Sequence, residues 1–237
     1  MSQLFDFKTG EIMLVDKPLN WTSFQVVNKL RWKIKTRLQI KKIKVGHAGT
    51  LDPLATGLLI LCTGKQTKSI ESYMGLEKVY SGTITLGATR PSYDMETEIN
   101  QTFPTDHITE SMITASAQNM VGECNQMPPI FSAKKVDGQT AYKLARKGEA
   151  VVLKPKKIYI NQFDITSIEG NNVKFVITCS KGTYIRSIAH DFGQALDSGA
   201  YLSALRREKI GQYDVKNAKT VDEWLKVIDD CEIIETQ

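Results

Sequence analysis

Residues 45–65 read VGHAGTLDPLATGLLILCTGK, a glycine-rich loop followed by an apolar run. The run Leu58–Leu61 is short and fully apolar, which is typical of a buried strand, so we predict a strand over 58–63. The loop before it contains a single carboxylate, Asp52, directly followed by Pro53. Because glycines allow a ligand to approach the backbone closely, Asp52 is the candidate catalytic residue. A simple Asx turn is the structural alternative.

The end of this stretch does not fit a nucleotide-binding P-loop. That motif has the pattern G-x-x-x-x-G-K-[ST] between a strand and a helix. Here six residues, mostly bulky and apolar, separate Gly57 from Gly64, and Gln66 follows Lys65. The sequence therefore argues against nucleotide hydrolysis.

Charge is unevenly distributed along the chain. Residues 17–51 contain nine Lys or Arg and no Asp or Glu, whereas residues 214–237 contain seven acids and three bases. Since the whole chain has 31 bases and 26 acids, residues 1–213 carry 28 bases against 19 acids, a net charge of +9. A basic segment that leads into a candidate site favours a polyanionic partner, and a solvated lysine-rich loop is the alternative.

Length and composition limit the class of protein. A chain of 237 residues with 41% apolar and 24% charged residues is ordinary for a globular protein. No stretch reaches the roughly 20 apolar residues of a membrane span, and the N-terminus lacks the basic and apolar regions of a signal peptide. Four separated cysteines and three histidines show no zinc-binding spacing. We therefore expect a reduced cytoplasmic protein without a metal.

The hydrophobic patterns predict an α+β fold. Residues 78–87 alternate with period two, so that Tyr80, Ile84 and Leu86 share one face of a strand. Further strands are predicted at 12–16, 151–166, 172–180 and 206–213, and helices at 24–33 (capped by Ser23), 66–74, 108–121, 141–148, 185–197 and 221–229. Because hairpin-like pairs dominate and no regular β–α–β period appears, we predict a mixed, mostly antiparallel central sheet flanked by helices and loops.

Two further features indicate a site. The segment CSKGTYIRSIAHDFG, residues 179–193, predicts a strand, a turn and a helix, with Tyr184 and Arg186 where the helix begins. Arg186 can hold a carboxylate through a bidentate pair, and a buried partner acid would explain an arginine at a helix start. Tyr80 is either a core residue of its strand or an aromatic platform for an unstacked base.

The motif GHAGTLDPLATGLL, residues 46–59, resembles the catalytic motif of the TruB family of tRNA pseudouridine synthases. The resemblance covers nearly the whole chain, in order, through LVDKP (14–18), KVYSGTITLG (78–87), QMPPIFSAKKVDGQTAYKLARKGEAV (126–151), CSKGTYIRSIAHDFG (179–193) and ALRREKIG (204–211). It implies the pseudouridine synthase fold and the isomerisation of the T-loop uridine, position 55, of elongator tRNAs.

The resemblance also implies roles for matching residues in the reaction. Asp52 is implied to be the essential catalytic aspartate and Arg186 to be its ion-pair partner. Tyr80 is implied to stack on the flipped base and to help in proton transfer, and Tyr184 is implied to line the pocket.

Other residues are implied to close the pocket or to bind the RNA. Leu205 is implied to shield the pocket from solvent, and His47 to contact the T-loop where the nucleotide leaves the stack. Asp94 matches a pocket-side aspartate, although TRPSYD replaces the Thr-Asp-Thr-x-Asp pattern of many members. Contacts to the RNA backbone are expected from four lysines of the basic segment, Lys17, Lys41, Lys42 and Lys44.

The resemblance sets expectations about organisation as well. We expect a catalytic domain over 1–213 and a short acidic C-terminal extension over 214–237, too short for the RNA-binding PUA domain that many members carry. The expected partner is the T-stem-loop of tRNA, with no cofactor, no membrane and no obligatory protein partner. The expected state is a monomer.

Three hypotheses about function compete. The first is a standalone tRNA uridine isomerase, which the intact Asp52, Tyr80 and Arg186 favour. The second is a non-catalytic RNA-binding or RNA-folding protein on the same scaffold, and the third is an isomerase within an RNA-guided complex. For an isomerase, the sequence leaves open whether Asp52 attacks C1′ or C6 of the uridine, or removes the C2′ proton as a base.

Overall fold

The computed structural model of the chain describes residues 4–132, 135–136, 139–140, 144 and 153–233. The strands are β1 (Leu4–Phe5), β2 (Ile12–Lys17), β3 (Val45–His47), β4 (Ala55–Thr63), β5 (Lys78–Leu86), β6 (Ala88–Thr89), β7 (Gln101–Thr102), β8 (Gly122–Gln126), β9 (Lys135–Val136), β10 (Gln139–Thr140), β11 (Lys156–Glu169), β12 (Asn172–Cys179), β13 (Ala200–Ile210), β14 (Tyr213–Asp214), β15 (Lys219–Thr220) and β16 (Glu232–Ile233). The helices are α1 (Ser23–Arg37), α2 (Ile70–Gly75), α3 (Glu110–Asn119), α4 (Ile185–Ala195) and α5 (Val221–Asp230), with 3₁₀ turns at Gly64–Ser69 and Val215–Asn217.

The predicted α+β class is confirmed. Strands and helices are interspersed, and the strand pairs β2–β4, β3–β4, β8–β11 and β11–β12 are antiparallel, whereas β2–β15 and β1–β16 are parallel. The segment predicted as one helix over 66–74 is instead a 3₁₀ turn followed by α2. The helix predicted over 141–148 lies, apart from Leu144, outside the described residues. Within the described part of the chain, no helix is long and apolar enough to cross a membrane.

The first of two compact units consists of the described residues up to Lys78 and from Arg206 onward. Its strands lie in the order β15-β2-β4-β13, and β3 also pairs with β4. The buried face of α1, with Val26, Leu30 and Ile34, belongs to the same core cluster as Trp224 of α5. The acidic C-terminal residues therefore contribute a packed helix to this unit.

The start of α5 follows from a local signal. Thr220 accepts a hydrogen bond from the backbone N–H of Glu223, and the Glu223 carboxylate accepts one from the N–H of Thr220. This reciprocal capping box satisfies backbone donors that a helix N-terminus leaves unpaired.

The second unit spans residues 79–205. Its strands lie in the order β13-β5-β12-β11-β8, with residues 200–205 of β13 at one side. The hairpin β11–β12 turns at Gly170, whose φ of +58° suits glycine. Aromatic packing of Phe163 against Phe175 and Phe192 connects this hairpin with α4. In β5, Tyr80, Ile84 and Leu86 are buried, as the alternation predicted.

Candidate active site

Asp52 lies in the loop between β3 and β4, and α1 holds the backbone of this loop. The Ser23 hydroxyl donates to Leu51 O (3.1 Å) and accepts from Leu51 N (2.9 Å). On the other side of the carboxylate, Asn20 N donates to Pro53 O at 2.9 Å. The loop is therefore fixed on both sides of Asp52.

The prediction that Ser23 caps α1 is wrong by one residue. Thr22 is the N-cap: its hydroxyl accepts from Gln25 N at 3.1 Å, and the Gln25 side chain accepts from Thr22 N at 2.7 Å. Ser23 is only 2% exposed, so its hydroxyl needs a buried partner and finds it in Leu51. Ser23, which the sequence predicted as the N-cap of α1, is thus a residue that supports the Asp52 loop.

Arg207 supports the same loop from within the unit. Its guanidinium is 1% exposed and donates from Nε to Leu58 O at 2.7 Å and from Nη2 to Gly49 O at 3.0 Å. Gly57 makes room for the backbone of Arg207, because a Cβ there would lie 2.3 Å from the backbone oxygen of Arg207. Nothing in the local sequence RREKI distinguishes this arginine from Arg206, which forms a partly exposed ion pair with Asp16.

Lys17 is completely buried, which contradicts its predicted contact with the RNA backbone. Its ammonium donates to Pro18 O at 2.9 Å and to Trp21 O at 2.6 Å, so backbone carbonyls take the place of water. Burial lowers the pKa of Lys17 to about 8, although the charge of Asp52 raises it; the charge of Arg207 adds to the lowering. Lys17 is thus a buried cation that interacts electrostatically with Asp52.

The buried ammonium makes stability depend on pH in a defined direction. Between pH 8 and 10.5 the unfolded chain holds the Lys17 proton more tightly than the folded protein does. Raising the pH therefore removes the cost of burying the charge. We expect the free energy of unfolding in urea to rise with pH in this range relative to that of Lys17→Met. Parallel pH profiles of the two proteins would contradict the buried charge.

His47 lies in β3, in the same unit as Asp52. Burial lowers its pKa and the charge of Arg207 lowers it further, while a backbone hydrogen bond to Gly49 raises it. Both effects favour the uncharged imidazole, which suits contact with a base or a sugar better than contact with a phosphate.

Arg186 is buried at the start of α4, in the second unit. Its Nε lies 3.5 Å from Asp94 Oδ2, and the two side chains are 6% and 8% exposed. Its Nη1 donates to Ser92 O at 3.2 Å. The buried partner acid that the sequence required is therefore Asp94, and the implied pairing of Arg186 with Asp52 stays a prediction.

The turn around Asp94 is fixed by its own polar groups. Asp94 Oδ1 accepts from Glu96 N at 3.0 Å, and the Ser92 hydroxyl donates to Asp94 O at 3.1 Å. Tyr93 adopts the unusual φ of +62° and stacks on His190 with ring centroids 4.0 Å apart. These contacts hold the Asp94 carboxylate beside Arg186.

Tyr184 and Leu205 occupy defined positions in the second unit. The Gln126 side chain accepts from Tyr184 N at 2.8 Å and donates to Tyr184 O at 3.0 Å, which fixes the entry into α4. Leu205 lies in β13 and is partly buried, and Tyr80 in β5 is 9% exposed. Their implied contacts with a flipped uridine stay predictions.

The remaining predicted lysines lie on the surface. Lys41, Lys42 and Lys44 follow α1, and all are exposed.

The structure brings Asp52, His47 and Lys17 together around Arg207 in the first unit. It brings Arg186 and Asp94 together in the second.

Comparison with known proteins identifies a family and a fold. Residues 35–185, which include Asp52 and Tyr80, match the family described as TruB family pseudouridylate synthase, N-terminal domain. The tRNA pseudouridine synthase B of Flavobacterium johnsoniae is 54% identical over 214 residues, which cover 90% of this chain and 93% of that protein. The tRNA pseudouridine synthase B of Phocaeicola vulgatus is 50% identical over 230 residues, which cover 97% of this chain and 98% of that protein.

A solved structure extends the comparison to three dimensions. A chain in the crystal structure of a Cbf5–Nop10–Gar1 complex matches with a TM-score of 0.66 and 26% identity. The match covers 94% of this chain and 60% of that chain. It confirms the predicted pseudouridine synthase fold.

Proposed function

Because the chain belongs to the TruB family of pseudouridylate synthases, we propose that it isomerises the T-loop uridine at position 55 of tRNA to pseudouridine. The observation that carries the proposal is the environment of Asp52. Ser23 and Arg207 fix its loop, and Lys17 provides a buried cation that interacts with the carboxylate. A nearby cation favours the ionised form of a carboxylate, which every route below requires.

The reaction breaks the C1′–N1 glycosidic bond, turns the uracil and forms a bond between C1′ and C5. N1 gains a proton and C5 loses one, so substrate and product are isomers and no electrons are exchanged with a second reactant. Asp52 acts as nucleophile at C1′, as nucleophile at C6, or as the base that removes the C2′ proton. Deuterium at C2′ separates the third route from the others, because only that route breaks the C2′–H bond.

The uridine must leave the T-loop stack before it reacts, at a cost of a few kcal/mol. We assign the stacking face to Tyr80, and the contact with the T-loop to His47 in its neutral form. Tyr184 is assigned to the pocket wall and Leu205 to its closure. Arg186, oriented by Asp94, is assigned as the counter-ion of Asp52 during turnover.

The exposed lysines at 41, 42 and 44 supply salt-dependent affinity in this proposal. For a nucleic-acid duplex, each phosphate that a cation neutralises makes the plot of log binding constant against log salt concentration steeper by about 0.9. We therefore expect Lys41→Gln, Lys42→Gln and Lys44→Gln together to weaken tRNA binding and to reduce the slope by about 2 to 3. Filter binding of a tRNA transcript across a salt series measures both quantities.

A matched triple variant controls for net charge. Lys209, Lys216 and Lys226 are also exposed, and their replacement by Gln removes the same charge elsewhere. An unchanged slope for the first variant, or an equal reduction for both, would exclude the 41–44 segment from the interface.

We further propose that the protein acts as a monomer in the cytoplasm, without an obligatory protein partner. Relatives that match over nearly their whole length are named as tRNA pseudouridine synthase B, which supports action on tRNA. Turnover by the purified chain, with its mass measured by light scattering under assay conditions, tests this assembly state.

Release of tritium from C5 tests the proposed reaction. The purified protein is incubated with a tRNA transcript that carries tritium at C5 of its uridines. One equivalent released per tRNA is expected, because only the target uridine exchanges its C5 hydrogen. Absence of release at high enzyme concentration would reject the isomerase and leave a binding protein.

A further inference from the structure

The outer face of α1 exposes two large aromatic side chains. Phe24 is 64% exposed and Trp32 is 59% exposed. They lie eight residues apart, which corresponds to about 12 Å along the axis and to one side of the helix. The opposite side, with Val26, Leu30 and Ile34, is buried in the core. The aromatic side is therefore exposed while α1 is packed in the fold.

Cations occur along the same helix and in the loop that follows it. Residues 17–51 contain no acid. Lys33 pairs with Asp229 of α5, and Arg37 donates to Asp229 O, so these two serve the packing of α1 on α5. The other cations of the helix and the following loop are Lys29, Arg31, Lys35, Lys41, Lys42 and Lys44, of which Arg31 donates to Asn28 Oδ1 at 2.6 Å.

The aromatic face begins at the Asp52 loop. Ser23, in the first turn of α1, is hydrogen-bonded to Leu51, the residue before Asp52. From there the 15 residues of α1 extend away from the loop by about 22 Å. A polyanion whose reacting group lies at Asp52 therefore has the basic and aromatic face of α1 beside it.

We propose that this face of α1, defined by Phe24, Lys29, Trp32 and Lys35, binds tRNA outside the T-loop. The lysines contact phosphates, and the aromatic rings pack against unpaired bases or sugars. Stacking of a base on an aromatic side chain contributes about 1–3 kcal/mol, equivalent to a roughly 5- to 150-fold change in affinity. The inference rests on the proposed function, because it takes tRNA as the polyanion at Asp52.

Burial of the aliphatic side of α1 favours RNA over a membrane surface as the partner of its exposed side. An interfacial helix inserts its apolar side into the lipid boundary. The aliphatic side of α1 is buried against α5, so only two separated aromatic residues are left for insertion. An RNA strand can bind to such a surface, because single bases stack on separate aromatic side chains while cations contact the phosphates.

Two RNAs and matched variants test the inference. The variants are Phe24→Ala with Trp32→Ala, and Lys29→Gln with Lys35→Gln. The controls are Tyr159→Ala, which removes an aromatic side chain that is 49% exposed on β11, and Lys216→Gln with Lys226→Gln, which removes two charges elsewhere. Affinities are measured for a full tRNA transcript and for a short hairpin that carries only the T-loop and its closing base pairs. Thermal melting without RNA verifies that each variant is folded.

The aromatic variant is expected to bind the full transcript at least about 10-fold more weakly. The hairpin affinity should fall less than the transcript affinity, because a hairpin bound at Asp52 reaches only the first turn of α1, and turnover at saturating tRNA should stay unchanged. Quenching of tryptophan fluorescence by tRNA should decrease in Trp32→Phe. Unchanged affinity for the transcript, or an equal loss for both RNAs, would overturn the inference.

The outcome separates this inference from the proposed function. Wild-type protein that forms pseudouridine, together with variants that bind the transcript normally, rejects only the α1 surface. Wild-type protein that binds tRNA but never forms pseudouridine rejects the isomerase. Binding of anionic lipid vesicles that is lost in the aromatic variant, with tRNA affinity unchanged, would assign the face to a membrane and reject the inference.

Discussion

Asp52→Asn is expected to lower the rate of pseudouridine formation at least about 10³-fold, because a positioned acid–base group contributes 10² to 10⁴ and a covalent nucleophile contributes more. The amide has nearly the shape of the carboxylate but is neither a base nor an effective nucleophile. The loop should keep its conformation, since Ser23 and Arg207 hold it through backbone groups of Leu51 and Gly49.

Binding of tRNA should survive this substitution. Removal of a negative charge beside a polyanion does not weaken their association, so the affinity is expected to be equal or slightly higher. Single-turnover kinetics and filter binding measure the two quantities separately. Asp222→Asn, in the exposed first turn of α5, is the matched control and should retain turnover. Turnover near the wild-type rate in Asp52→Asn would remove Asp52 from the chemistry.

Arg186→Gln is expected to reduce both stability and turnover. Its loss leaves the Asp94 carboxylate, 8% exposed, without its cation, and breaking one side of a buried pair costs about 3–5 kcal/mol. Turnover should fall as well, because Arg186 is the proposed counter-ion of Asp52.

The double variant Arg186→Gln with Asp94→Asn separates the two effects. Two amides in place of the charges remove the uncompensated buried carboxylate, so the free energy of unfolding should recover by more than half of the loss. Turnover should not recover, because the guanidinium is still absent. Recovery of turnover together with stability would show that Arg186 acts only through the fold.

Local patterns in the sequence were sufficient for the six longest strands and for most of the helices. The apolar run before Cys62 predicted the buried strand β4, and the alternation of Tyr80, Ile84 and Leu86 predicted the inward face of β5. These features depend on periodicity and on burial of apolar surface, which neighbouring residues already encode. The motif around Asp52 likewise indicated the family before any geometry was known.

The supports of the site could not be predicted in this way. Burial of Lys17 depends on carbonyls of Pro18 and Trp21 that converge only in the folded chain. Burial of Arg207 depends on carbonyls of Gly49 and Leu58, about 150 residues away in sequence. Because charged residues are mostly exposed, composition alone predicted that Lys17 contacts the RNA backbone. It did not indicate that Arg207 supports the Asp52 loop.

Site-specific mapping of pseudouridine in an unmodified tRNA transcript tests the central claim most directly. The transcript is incubated with the wild-type protein and with Asp52→Asn, and each uridine is then read for conversion. The account predicts conversion at position 55 by the wild type, none there by Asp52→Asn, and none in a transcript with cytidine at that position. Conversion at other uridines with position 55 untouched, or conversion by Asp52→Asn, would contradict it.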